Sequence, residues 1–159
     1  MKLECVLKRW FLLLAGIALG GSGGAKVLTV FGSARLLDAP DPIFGFPFRY
    51  LLLGVGVLEL TIASRCCCRR STAVNAMLVA WLASSFLVYR IGLWSIGWHH
   101  PCGCLGRLTD ILHISPSLAD NAMKGLLAYL LAGSYAIVFW HLKQGRGTRE
   151  GPSAGVIFA

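Results

Sequence analysis

Four long apolar stretches constrain this chain more than any other feature of its sequence. They cover roughly residues 10–31, 50–64, 73–97 and 119–141, with short polar segments between them. A helix needs about 20 apolar residues to cross a hydrocarbon core of about 30 Å. The second stretch is the shortest, but it can begin earlier, at Phe44 or Phe46, because the segment around Pro42 and Pro47 is also apolar. The sequence therefore predicts four transmembrane helices.

The composition agrees with a protein that is largely embedded in a lipid bilayer. Of the 159 residues, 56% are hydrophobic and only 14% are charged, and the mean hydropathy is +0.67. We expect an all-α integral membrane four-helix bundle over residues 8–142, followed by a basic, flexible cytoplasmic tail over residues 143–159. Four spans leave no room among these residues for a separate soluble catalytic domain.

The net charge of +8 is explained by membrane topology rather than by nucleic-acid binding, because Lys and Arg accumulate in loops that stay inside. Nine basic residues flank the spans on one predicted side: Lys2, Lys8, Arg9, Arg65, Arg69, Arg70, Lys143, Arg146 and Arg149. This distribution predicts a bacterial-type inner membrane protein with both termini in the cytoplasm. An alternative for residues 1–25 is a cleavable signal peptide, but the apolar residues that follow in KVLTVF favour a retained span.

Small residues spaced four apart predict how the helices pack, because they allow close approach of helix backbones in lipid. Such residues occur in the first, third and fourth spans: Gly16, Gly20 and Gly24, then Ala76, Ala80 and Ser84, then Ala128, Ala132 and Ala136. In the last outer connection, LGRLTDILHI has apolar residues at helical spacing, which predicts a short interfacial helix. Ser117 then fits the N-cap of the fourth span, with Asp120 at its N3 position.

The stretch HHPCGCLG, residues 99–106, follows the third span on the predicted outer side, where disulfides form and persist. A disulfide between Cys102 and Cys104 would close a very small ring, and strained, exposed disulfides are the labile or catalytic ones. Gly103 supplies backbone freedom, and His99 and His100 could stabilise a thiolate. The alternatives are a structural disulfide, two reduced thiols in a turn, or a soft metal site for zinc or copper.

The other cysteines lie on the predicted cytoplasmic side, where thiols are normally kept reduced. They are Cys5 and the triplet Cys66, Cys67 and Cys68. The triplet is interpreted as inert or lipid-modified thiols beside a basic turn, with metal binding as the alternative.

Glu59 is the strongest functional candidate among the charged residues inside the spans, since burying a charge in lipid is costly. It could carry a proton, or it could pair with Lys26 or Arg90 as a structural element. Lys26, Arg90 and Lys124 lie toward the outer ends of their spans, where long basic side chains can extend to the interface.

PCGCLG after the third span, GGAKVL at the end of the first, and VLEL with Glu59 in the second together resemble the MauE group of DoxX-like membrane proteins. This resemblance implies a four-helix bundle related to the vitamin K epoxide reductase and DsbB type of thiol oxidoreductase. It also implies a Cys-x-Cys motif near the outer surface, and a role in methylamine utilisation through disulfide formation in a periplasmic partner. A quinone is one candidate cofactor for such a protein.

The sequence thus supports two functional hypotheses of different classes. In the first, Cys102 and Cys104 exchange electrons with the thiols of an exported partner protein, assisted by His99, His100 and Glu59. In the second, the chain is a non-enzymatic membrane scaffold, and the two cysteines form a structural disulfide that stabilises its outer loop. The redox behaviour of the cysteine pair distinguishes them, because a catalytic disulfide is reduced more readily than a structural one.

Overall fold

The computed structural model describes residues 2–31, 37, 40–68, 71–97 and 115–147. These residues form four helices, α1 (Lys2–Val30), α2 (Phe48–Cys67), α3 (Thr72–Ser95) and α4 (Pro116–Gly147). Each contains a segment long and apolar enough to cross a membrane: Val6–Val30, Phe48–Cys67, Thr72–Ser95 and Asp120–Lys143. The prediction of an all-α protein with four candidate membrane-spanning helices is confirmed.

Proline and glycine account for several helix ends. Pro47 precedes α2, and Gly97 follows α3 with a positive φ of 73°, a conformation that glycine adopts without strain. Pro116 occupies the first position of α4, where its missing N–H costs nothing. The prediction that Ser117 is the N-cap is therefore wrong. Ser117 lies inside the first turn of α4.

The helices pack mainly as two antiparallel pairs, α1 with α2 and α3 with α4. Gly16 faces Cys66 and Ala63 of α2, and Gly20 faces Ala63, as the spacing of small residues predicted. The third predicted contact is wrong. A Cβ built at Gly24 would have no neighbour within 4 Å, whereas one at Gly23 would lie 2.9 Å from the Gly56 carbonyl oxygen.

The small residues of α3 and α4 differ in their environment. Ala76 and Ala80 of α3 are buried, and the Ser84 hydroxyl hydrogen-bonds the hydroxyl of Tyr135 in α4 at 2.9 Å. On α4, in contrast, the predicted packing residues Ala128, Ala132 and Ala136 are all exposed. The buried face of α4 consists instead of Leu130, Ser134 and Ile137. The prediction that the three alanines form the packed face of α4 is therefore wrong.

The main core combines residues from all four helices, including Leu12, Leu19, Ile62, Val79 and Leu130. Many large apolar side chains lie on the outside of the bundle, as expected for a surface that faces lipid. The predicted interfacial helix over residues 105–114 lies outside the described residues. Helix α4 continues to Gly147, past the predicted end of the bundle at residue 142.

Candidate functional site

The Cys-Gly-Cys motif lies in the connection between α3 and α4. Cys102, Cys104, His99 and His100 all fall outside the residues whose structure is described. Because α3 ends at Ser95 and α4 begins at Pro116, the motif belongs to the same end of the bundle as the connection from α1 to α2.

Two charged residues join α3 to α4 near this connection. The Arg90 guanidinium donates a hydrogen bond to Oδ1 of Asp120, and Lys124 Nζ lies 2.7 Å from the other carboxylate oxygen. Arg90 and Asp120 are each about three-quarters buried. Arg90 therefore pairs with Asp120. The predicted alternative, in which Arg90 pairs with Glu59, is wrong. Asp120 thus connects α3, which precedes the motif, to α4, which follows it.

Glu59 forms a buried ion pair with Lys26 between α2 and α1. Lys26 Nζ lies 2.7 Å from Oε1 and 2.8 Å from Oε2 of Glu59, and both residues are at least 95% buried. The predicted extension of Lys26 to the membrane interface is wrong, because a carboxylate within reach stabilises the ammonium inside the bundle.

The remaining contacts of this ion pair leave it saturated. The Ser22 hydroxyl accepts a hydrogen bond from Lys26 Nζ at 2.6 Å, so each of the three ammonium N–H groups has an oxygen acceptor. The ring of Phe86 from α3 lies 5.6 Å from Nζ and covers the charge. The Ser22 hydroxyl of α1 and the Phe86 ring of α3 thus enclose a pair whose two charges neutralise each other, which favours the structural role of Glu59 over proton transfer.

Glycines make this ion pair possible by bringing α1 and α2 close together. A Cβ at Gly23 would lie 2.9 Å from Glu59 Cβ, and one at Gly56 would lie 2.9 Å from Val27 Cγ2. Real Cβ atoms essentially never come so close to other atoms. Glycine at both positions therefore lets the helices approach at the level of Glu59.

Asp41 is a buried carboxylate that no sequence motif discussed above indicated. It is 2% exposed, and its Oδ1 accepts hydrogen bonds from the backbone N–H groups of Ile43 and Phe44, each at 2.9 Å. Its Oδ2 accepts a hydrogen bond from the Tyr89 hydroxyl of α3. The Pro-Asp-Pro sequence is the signal that could have indicated this turn, since Asp commonly accepts hydrogen bonds from the backbone two residues later.

The cysteine triplet lies at the opposite end of the bundle from Asp41. Cys66 is buried against α1, whereas Cys67 and Cys68 are exposed, and all three are free thiols. Within the part of the chain that the structure describes, no group of three or more His, Cys, Asp or Glu side chains is arranged to hold a metal ion.

Comparisons with models of protein families, with curated proteins and with solved structures find no match to this chain. The resemblance to the MauE group therefore depends on the sequence motifs alone. Functional assignment depends on those motifs, on the topology of the four helices and on the charged contacts described above.

Proposed function

We propose that this protein is a multi-pass membrane thiol-disulfide exchange protein of MauE type, acting through Cys102 and Cys104 on an exported, thiol-containing partner. The observation that carries the proposal is the position of the two cysteines in a connection between two candidate membrane spans. Such a connection is presented at the membrane surface. The cysteine triplet belongs to the other end of the bundle.

The proposed orientation follows from the basic residues, which put both termini in the cytoplasm of a bacterial-type cell and the motif on the oxidising side of the inner membrane. On that side, a disulfide between Cys102 and Cys104 can persist until a partner attacks it. A short interfacial helix over residues 105–114 would hold the motif close to the membrane surface.

The proposed reaction is disulfide exchange. A thiolate of the reduced partner attacks one sulfur of the Cys102–Cys104 disulfide, which forms a mixed disulfide and releases the other cysteine as a thiolate. A second partner thiolate attacks the mixed disulfide and displaces the bound cysteine. The partner gains a disulfide, and Cys102 and Cys104 receive its two electrons. Reoxidation requires an electron acceptor, for which a quinone is the proposed chemical class.

In this scheme, the charged residues and histidines discussed above have different roles. The Asp120 contact with Arg90 holds together the two helices that flank the motif. His99 and His100 would favour the thiolate form of the neighbouring cysteines. Glu59 acts at a distance, by stabilising the contact of α1 with α2 through Lys26.

A thiol-labelling experiment on sealed, oriented membranes tests this proposal. An impermeant thiol reagent should not label Cys102 or Cys104 until mild reductant is added, and should then label both together. Replacing either residue by serine should abolish exchange with the partner, and replacing both should cost no more activity than replacing one. Cys67→Ser is the matched control, because it removes an exposed thiol from the other end and should leave exchange unchanged.

Trapping the partner identifies the substrate. In a single Cys102→Ser or Cys104→Ser variant, the remaining thiolate can attack a disulfide of the oxidised exported protein and release one partner cysteine as a thiolate. The resulting mixed disulfide should accumulate, because the variant has no second cysteine in the motif to displace the partner. If the variant lacking both cysteines keeps full activity in the partner's disulfide assay, thiol exchange is excluded and a scaffold function replaces it.

A further inference from the structure

Residues 40–47, with the sequence PDPIFGFP, form a closed turn just before α2, which we call the proline turn. Pro40 and Pro47 face each other as an isolated antiparallel bridge. The Asp41 N–H donates to the Phe46 carbonyl at 2.9 Å, and the Gly45 N–H donates to the Asp41 carbonyl at 2.8 Å. Gly45 has a φ of 72°, which glycine adopts without strain. The turn is therefore held by its own backbone.

The proline turn satisfies most of its backbone donors internally. Three of its eight residues are prolines, which have no N–H. Of the other five residues, four donate hydrogen bonds within the turn: Asp41 and Gly45 to backbone carbonyls, and Ile43 and Phe44 to the Asp41 carboxylate. Backbone outside regular structure enters a membrane only where its polar groups have such partners.

The surface of the proline turn is apolar. Asp41 is its single charged residue, and this carboxylate is 2% exposed. Three large apolar side chains point outward instead: Ile43 is 40% exposed, Phe44 53% and Phe46 41%. A loop in water normally exposes its charged side chains and buries large apolar ones, whereas this turn buries its charge and exposes its aromatic rings.

The proline turn also lies alongside α3 rather than beyond its end. Phe44 stacks on Tyr89 with ring centroids 6.1 Å apart, and a Cβ at Gly92 would lie 3.2 Å from Ile43 Cδ1. At about 1.5 Å per residue, Tyr89 and Gly92 lie about 9 Å and 4.5 Å inside the end of α3 at Ser95. The 24 residues of α3 exceed a hydrocarbon core of about 30 Å by only a few Å at each end. This places the turn near the boundary of the hydrocarbon.

We infer that the proline turn is a lipid-binding element, which inserts Ile43, Phe44 and Phe46 among phospholipids at the boundary between headgroups and acyl chains. The leaflet is the one at the end of the bundle that carries the α1–α2 and α3–α4 connections. Lipid is favoured over a polypeptide as the occupant because four of the five backbone donors are already satisfied within the turn and the turn lies alongside α3 near the boundary of the hydrocarbon. The inference is independent of thiol exchange.

Fluorescence quenching in vesicles tests this inference. Phe44→Trp keeps an aromatic ring in the turn, and Val57→Trp is a matched control, because Val57 is 52% exposed at the middle of α2. Each full-length variant is reconstituted in phosphatidylcholine and phosphatidylglycerol vesicles, and the signal of the native protein is subtracted. The quenchers are phospholipids with a nitroxide near the headgroup or near the chain end, and aqueous iodide.

The added tryptophan at position 44 should lose more fluorescence to the shallow nitroxide than to the deep one, and the order should reverse at position 57. The iodide quenching constant of the tryptophan at position 44 should be several-fold below that of a free tryptophan analogue. Strong iodide quenching with little lipid quenching would overturn the inference and leave the turn available to a polypeptide. Weak quenching by all three would also overturn it, by placing the ring inside protein. Phe46→Trp, at the other side of the turn, repeats the test if the first variant does not fold.

Discussion

At the scale of single residues, the bundle contains a charge pair whose members depend on each other. An unpaired Lys26 or Glu59 would be costly inside apolar helices, but together they form a neutral unit in which every ammonium N–H has an acceptor. Close packing around Gly23 and Gly56 leaves little space for water to replace a missing partner. Replacing one member should therefore cost more than removing both charges.

We expect Glu59→Gln to destabilise the protein by about 3–5 kcal/mol, because the ammonium of Lys26 remains buried without a counter-charge. The double variant Lys26→Gln with Glu59→Gln should lose less stability than the single variant. Unfolding in lipid nanodiscs measures both, and simple additivity of the two single effects would contradict the coupling. Thiol exchange should persist in the folded Glu59→Gln protein, whereas its complete loss would indicate a proton-transfer role.

At the scale of the helices, glycine positions that look equivalent in the sequence have different roles. Gly23 faces the backbone carbonyl oxygen of Gly56 and the Cβ of Glu59, but Gly24 has open space at the position of a Cβ. Contacts with backbone cannot be relieved by rotating a side chain, so adding a methyl group at Gly23 must separate the helices.

Gly23→Ala should therefore destabilise the α1–α2 pair by about 1–3 kcal/mol, the usual cost of overpacking. Gly24→Ala is the matched control and should be neutral or stabilising by up to about 1 kcal/mol, since alanine favours the helix. Thermal unfolding of the two variants in the same nanodiscs makes the comparison. Equal losses would show that the close contact at Gly23 does not limit packing.

A second pair of variants tests which face of α4 is buried. Ala132→Leu should leave stability nearly unchanged, because Ala132 lies on the exposed face of α4. Ala76→Leu places the same added volume at a residue with 0% exposure in α3 and should reduce stability by about 1–3 kcal/mol. A large loss for Ala132→Leu would restore the original prediction that the alanines of α4 pack inside the bundle.

At the scale of the whole molecule, the four helices and the basic residues together predict an orientation that remains to be measured. Reporter fusions after Arg70 and after Gly147 should indicate the cytoplasm, because nine basic residues flank the spans on that side. Fusions in the connections that contain Asp41 and Arg107 should indicate the outside. A cytoplasmic signal at Arg107 would put the cysteine pair in a reducing compartment and remove the basis for disulfide exchange.

Several features of the molecule could be predicted from the sequence because they depend on the contrast between apolar and polar segments. The four helices follow from the lengths of the apolar stretches, and α3 ends next to Gly97 as its apolar stretch does. Pairing of Glu59 with a basic residue was one of two predicted roles, because an isolated charge in lipid is costly.

Only the tertiary structure decided which faces meet and which charges pair. In lipid, both the packed and the exposed side of a helix are apolar, so the spacing of Ala128, Ala132 and Ala136 could not distinguish them. Lys26 and Arg90 were equally good partners for Glu59 until the close approach of α1 and α2 brought Lys26 to it. Asp41 was buried by a turn that folds onto Tyr89, 48 residues away in the chain. Such contacts depend on how separate elements are aligned with each other, and local sequence patterns do not determine that alignment.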